Sequence, residues 1–368
     1  MQHAVMEYVL ELRDRYDHGA YTAKDVLRVL AKDHLTPQDF GILPSPAAEP
    51  FLEVMARKAM AETSRHFGNA VQLLTPLYLS NHCDNLCVYC GFNCRNEIRR
   101  GKLSEIDMEK EMGKISATGL SEILLLTGES RSMSDVDYIG KAVKTAARIF
   151  PTVGIEIYPL DTDEYAFLHA CGADFVSVYQ ETYDRERYRQ VHLKGKKRDF
   201  TYRFDAQERA LQGGMRGVAF GALLGLDDFR KDAYAAGIHG HFVQQRHPHV
   251  ELSFSFPRLR PFVNQGRQTE RLQVGETQLF QVMLAYRLFL PFAGLTISTR
   301  ERSVFRDNVV GLCATKMSAG VKVGVGGHGD EQKGDDQFEI SDSRSVAEVH
   351  QAIREKGMQP VYADHIRV

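Results

Sequence analysis

"LSNHCDNLCVYCGF", residues 79–92, overlaps the end of the apolar run "LLTPLYLS" (73–80). It sets Cys83, Cys87 and Cys90 in a C-x3-C-x2-C spacing, with Cys94 four residues further on. A strand that ends in a thiol-rich loop is the unit from which the rest of the chain can be read. Cysteines at this spacing can be buried free thiols. They can be ligands of one zinc ion, through Cys83, Cys87, Cys90 and either Cys94 or His82. They can also be ligands of an iron–sulfur cluster. Zinc sites normally bring two separated pairs, and this chain has no second pair. Three thiolates on a four-iron cube leave one iron open.

Outward from that loop the chain repeats the same unit. Short apolar runs recur at 73–80, 122–128, 152–159, 174–180, 216–223, 251–256, 294–300 and 313–319, separated by amphipathic stretches such as "DMEKEMGKISATG" (107–119) and "ETQLFQVMLAYRLFL" (276–290). Eight strands alternating with helices over roughly 250 residues is the rhythm of a (β/α)8 barrel. A doubly wound open sheet shares it, so periodicity does not choose by itself. Residues 1–70 read as an N-terminal helical segment, with "EPFLEVMARKAMAETSRHFG" (49–68) closing at Gly68. Residues 71–320 form the repeating unit. Residues 321–368 form an extension, Gly- and charge-rich to about 336, then a helix over about 344–356 and a short apolar segment.

The 368 residues have 43% hydrophobic and 26% charged content and a net charge of −2, so no basic excess points to nucleic acid or an anionic membrane. No apolar run reaches the 18 or so residues of a membrane span. The start, "MQHAVMEYVLELRDRYDHG", carries acids through its apolar pattern and no small-residue cleavage site, so it reads as an amphipathic helix and not a secretion signal. Four of the six cysteines cluster, which suggests a metal site in a reducing cytoplasm. "GVKVGVGGHGDE" (320–331) lacks the Lys-Ser/Thr pair and following helix of a phosphate loop. Lys194, Lys196, Lys197 and Arg198 read as a solvated loop over the site, and "HGHFVQQRHPH" (239–249) has no metal-ligand spacing.

The cysteine spacing, with Tyr89 before the third cysteine and a barrel rhythm behind it, resembles the radical S-adenosylmethionine (SAM) superfamily. The segments "PLYLSNHCDNLCVYCGFNCRNEIRRGKL" (76–103), "LLLTGES" (124–130), "VYQETY" (178–183), "HLKGKKRDF" (192–200), "SFSFPRLRP" (253–261) and "STRE" (298–301) are similar to its tyrosine lyases, above all the branch serving thiazole biosynthesis for thiamine. The resemblance implies a (β/α)8 barrel, a 4Fe–4S cluster on Cys83, Cys87 and Cys90, and SAM on the open iron. It implies cleavage of SAM to methionine and a 5′-deoxyadenosyl radical, and scission of the Cα–Cβ bond of L-tyrosine to 2-iminoacetate (dehydroglycine) and 4-cresol. A thiazole synthase partner and a flavodoxin or ferredoxin type reductant follow from the same likeness. The hydrogenase-maturation branch is expected to carry a second cluster, and no cysteine follows Cys313 here. A tryptophan lyase and a non-catalytic zinc barrel are the other readings.

By the same resemblance Tyr89, Thr127, Gly128, Glu129, Glu156, Glu181 and Arg203 contact SAM. "TGE" (127–129) stands where the superfamily has Gly-Gly-Glu, with Thr for the first Gly. Glu156, a carboxylate inside an apolar strand, must face a partner or be neutralised. Arg258 and Arg260 supply cations for a carboxylate. Ser298, Arg300 and Glu301 are the substrate-side residues, with Arg300 and Ser298 holding the tyrosine carboxylate.

Overall fold

In the computed structural model, which describes residues 2–265, 274–363 and 365, eight parallel strands close on themselves. They are β1 (Ala70–Ser80), β2 (Glu122–Thr127), β3 (Thr152–Glu156), β4 (Phe175–Ser177), β5 (Gly217–Phe220), β6 (Glu251–Ser255), β7 (Gly294–Ile297) and β8 (Lys316–Ser318). Each pairs with the next, and β8 returns to β1 through Gln72↔Lys316, Leu73↔Met317 and Leu74↔Ser318. Closure rules out the open sheet that periodicity had left possible. Strands covered by helices outside and side chains inside must be apolar on both faces, which is why they read as continuous apolar runs.

The connecting helices start where the sequence places caps. Ser104 accepts from Asp107 N, and the Asp107 carboxylate accepts from Ser104 N, which opens the helix Glu105–Ser116. Asp135 and Asp184 cap the helices Val136–Ala147 and Arg185–Val191 more simply, their carboxylates accepting from Tyr138 N and Arg187 N. Each such cap satisfies amide protons that a helix leaves unbonded, worth about 1 kcal/mol. The N-terminal helices run Gln2–Arg15, Ala23–Leu30, Pro37–Ile42 and Leu52–Phe67. Gln2–Arg15 packs on the barrel's outer helix Phe229–Arg246, Leu52–Phe67 on Glu276–Phe289, and Pro37–Ile42 on both, where Phe40 stacks on Phe289 at 4.4 Å.

Two features lay outside the sequence reading. Leu86–Cys87 pairs antiparallel with His192–Lys194, tying the cysteine loop to the loop after β4. Residues 321–342 do not extend away from the barrel but cross its C-terminal mouth. Asp335 N donates to Arg99 O at 3.0 Å, Gln337 N to Val323 O at 3.1 Å and Ser341 N to Thr299 O at 2.8 Å. The chain then forms the helix Val346–Glu355, close to the expected one, and Gln359–Val361 pairs with Ala70–Gln72.

Candidate active site

The loop after β1 carries the cysteines back over the mouth. Gly128 lets it close. Gly128 N donates to Ser80 O at 2.8 Å, and a Cβ there would meet His82 O at 2.2 Å, so any side chain would push the loop away. Burial, then Glu129 and Cys90, pushes the Cys83 thiol up to about 12, and burial, only partly offset by Lys197, pushes Cys87 well above its ordinary range. Bare thiolates are therefore costly in this loop, and a bound cation is what makes them favourable. Among the described residues no three His, Cys, Asp or Glu side chains are gathered tightly enough to hold a single metal ion.

Beside the cysteines lies a dense ionic group. Arg203 Nη1 is 2.9 Å from Glu129 Oε1, Lys197 Nζ is 2.7 Å from Glu181 Oε1 and 3.7 Å from Glu129, and Asn85 donates to Glu129 Oε2 at 2.8 Å. Burial alone would raise both carboxylates, but Lys197 and Arg203 overcome it and hold both below their usual range. Glu181 is held in the left-handed region at φ 72°, fixed by Leu223 N donating to its carbonyl at 2.8 Å. Non-glycine residues there carry about 1–3 kcal/mol of strain and cluster at functional sites.

Lys197 corrects the sequence reading. The run 194–198 reads as a solvated loop, yet the Lys197 side chain is only 12% exposed and lines the mouth cavity, while Lys194, Lys196 and Arg198 stay outside. His192 joins Lys197 at the site. It is fully buried, and burial with the nearby cations lowers it to about 2, so it is neutral. Its Nδ1 lies 2.8 Å from Tyr188 O and donates there, which leaves Nε2 to accept from the Tyr89 hydroxyl at 2.6 Å. No spacing signal announces either residue. The signal that could have found them is the segment "HLKGKKRDF" (192–200), which holds both, and the structure pairs it with the cysteine loop through Cys87 and His192.

The mouth cavity is lined by Cys90, Tyr89, Glu156, Glu181, Ser298 and Arg300 together with Arg260 and an apolar wall from β1, β2 and β4. Glu156 makes no ion pair within 4 Å among the described residues. Burial, only partly offset by Arg300, raises it to about 7. Arg300 likewise has no carboxylate within ion-pair distance among the described residues. Its guanidinium stacks 3.5 Å from the centroid of the Phe338 ring and reaches Arg258 O at 3.4 Å. Arg258 and Glu301 are brought together, Arg258 Nε donating to Glu301 Oε1 at 2.9 Å, and neither lines the cavity. Arg260 bonds Ser341 Oγ, and among the described residues its Nε and the buried Thr127 Oγ1 have no partner.

Residues 77–234 match the radical SAM superfamily, and residues 255–359 match the Biotin and Thiamin Synthesis associated domain. The 2-iminoacetate synthases of Salmonella typhimurium and Escherichia coli are each 40% identical over 344 residues, 93% of this chain and 91% of theirs. The chain belongs to the 2-iminoacetate synthase family of radical SAM enzymes. The fold also matches HydG, a maturase of the FeFe-hydrogenase, with a TM-score of 0.89 at 28% identity over 98% of this chain and 80% of that one. The HydG of Carboxydothermus hydrogenoformans gives 0.90 at 27%, over 99% and 85%.

A radical SAM enzyme uses a 4Fe–4S cluster and SAM, and the residues present fit both. Three soft thiolate donors on one loop suit iron–sulfur ligation. The orphaned Thr127 hydroxyl and the unpaired Arg300 offer a donor and a cation to polar ligand groups. Among the described residues no helix is long and apolar enough to cross a membrane.

Proposed function

We propose that this radical SAM lyase cleaves the Cα–Cβ bond of L-tyrosine to 2-iminoacetate and 4-cresol, supplying the thiazole moiety of thiamine in the cytoplasm. The observation that carries the substrate assignment is Arg300, a cation at the cavity wall with no carboxylate in ion-pair distance among the described residues. An amino-acid substrate brings that carboxylate, and a guanidinium can grip it with two parallel hydrogen bonds.

When bound, the cluster and SAM supply the hard chemistry, reductive cleavage of SAM to methionine and 5′-deoxyadenosine with abstraction of a hydrogen atom from substrate. The chain's own residues do the rest. Cys83, Cys87 and Cys90 would hold three irons and leave the fourth for SAM. Thr127, Gly128 and Glu129 would receive the amino group of SAM, with Glu129 kept ionised by Arg203 and Lys197. Glu181 is kept ionised in the same way on the other side of Lys197, and it would contact the methionyl part. Glu156, raised to about 7, shares its proton near neutrality and would face the ribose hydroxyls beside Tyr89.

Arg300 and Ser298 would hold the tyrosine carboxylate. The Arg258–Glu301 pair supports that grip, since the Arg258 carbonyl receives the Arg300 guanidinium. Arg260 would add a cation at the rim. The apolar wall of Leu74, Leu124 and Phe175 keeps water from an imine that water would hydrolyse. The same fragility favours transfer of the product to a thiazole synthase partner, and a flavodoxin or ferredoxin type protein would provide the electron.

Anaerobic reconstitution followed by SAM, dithionite and tyrosine tests the assignment. A brown protein releasing 4-cresol and glyoxylate supports it. Deoxyadenosine without cresol removes tyrosine as substrate, and a colourless protein with one zinc per chain removes the radical chemistry.

A further inference from the structure

The segment that crosses the mouth brings one side chain onto the cysteine loop that no motif singled out. Gln337 Nε2 stands 3.6 Å from Cys90 Sγ. On its other side the Tyr78 hydroxyl donates to Gln337 Oε1 at 2.8 Å. Tyr78 is buried in β1 with its ring edge-on to Phe92 at 5.8 Å, so the phenol is a fixed point. The backbone is fixed too, because Gln337 N donates to Val323 O. Gly91, the residue after Cys90, admits this approach, since a Cβ there would meet Gln337 O at 2.3 Å.

The polarity of the contact follows from its partners. A thiolate can only accept, whereas a phenol can donate. The amide must therefore turn its N–H toward the sulfur and its oxygen toward Tyr78. We infer that Gln337, oriented by Tyr78, tunes the reduction potential of the cluster that Cys90 would hold by donating an N–H···S hydrogen bond to that thiolate. One-electron reduction adds negative charge to the iron–thiolate unit. A donor fixed at the sulfur stabilises the more negative state and raises the potential. Gln337 is a positioning residue in this account, and the inference rests on the reading of Cys90 as a cluster ligand.

The test is a redox titration of reconstituted holoenzyme without substrate, followed by absorbance and electron paramagnetic resonance, with iron and sulfide content measured alongside. Gln337→Leu should lower the reduced-to-oxidised ratio at a fixed ambient potential by about tenfold, a midpoint about 59 mV more negative for one electron. Tyr78→Phe keeps the amide but frees its orientation, and should move the midpoint the same way by less. Full iron content with unchanged midpoints in both variants overturns the inference. If Gln337→Leu assembles no cluster, Tyr78→Phe decides alone. A wild-type protein that binds no cluster overturns the Cys90 reading itself, which is a distinguishable failure.

Discussion

Lys197 Nζ stands 2.7 Å from Glu181 Oε1, with both side chains about nine-tenths buried. A basic side chain is thus built into the wall between the mouth cavity and a neighbouring cavity lined by Glu129 and Arg203. Removing one partner of an isolated buried pair costs about 3–5 kcal/mol, and Arg203 Nη2, 3.6 Å from Glu181 Oε1, keeps the loss of Lys197 below that. Lys197→Met should lower the thermal midpoint measured by anaerobic calorimetry. Adding Glu181→Gln in the same chain should recover much of the loss. A single variant as stable as wild type would show that the pair is not a structural tie.

Glu156 gives a pH signature. Its carboxyl is raised from 4.5 to about 7 in the folded chain, so the native state holds the proton over a window where the unfolded chain has released it. Its contribution to stability is fully present below about pH 4.5 and is lost as pH rises through about 7. Glu156→Gln removes that dependence. The stability difference between wild type and variant should change by roughly 3 kcal/mol across the window, at 1.36 kcal/mol per pH unit. Parallel pH profiles in urea unfolding would contradict the raised carboxyl.

Gly128 sits where the loop after β2 touches the cysteine loop. Gly128→Ala forces a Cβ against His82 O, which is backbone and must shift. The expected cost is about 1–3 kcal/mol, together with a lower iron content after reconstitution. Full iron loading in this variant would show that the contact does not position the cysteines.

Arg300→Ala should weaken tyrosine binding by about 2–5 kcal/mol, the usual cost of truncating one side of a buried charge pair. Deoxyadenosine formation without tyrosine should survive in part, because the SAM-facing residues are untouched. Unchanged tyrosine affinity in equilibrium dialysis would place the carboxylate elsewhere.

The barrel was legible because buried parallel strands are apolar on both faces, and all eight runs hold strands. The C-terminal ends of all but the first, which ends at Ser80 as read, were over-extended. Ladder pairing in β3 stops at Glu156, although Ile157 and Tyr158 remain buried and keep the apolar signal going. The mouth-crossing segment was not legible, since its Gly and charged residues carry no period and its bonds are to Arg99 and Thr299, far away in sequence. Lys197 was hidden by its neighbours, because one inward lysine in a basic run looks like the rest. The Arg258–Glu301 pair was hidden by separation, as both had been read as facing ligand.

Cys94 and substrate choice carry the central claim between them. Cys94 N is bonded to Asn85 O at 2.8 Å within the loop, so its backbone has a structural role whatever its thiol does. Cys94→Ser should retain the cluster and the activity, while Cys83→Ser, Cys87→Ser and Cys90→Ser should each lose both. Four-iron content lost in Cys94→Ser would mean a site with four protein ligands and no iron left for SAM.

The most direct measurement is product analysis of the reconstituted enzyme under strict anaerobiosis, with SAM, dithionite and either tyrosine or tryptophan. The account predicts 4-cresol and glyoxylate in proportion to 5′-deoxyadenosine with tyrosine, and no indole product with tryptophan. Deoxyadenosine with no cresol, or cleavage of tryptophan instead, would contradict it.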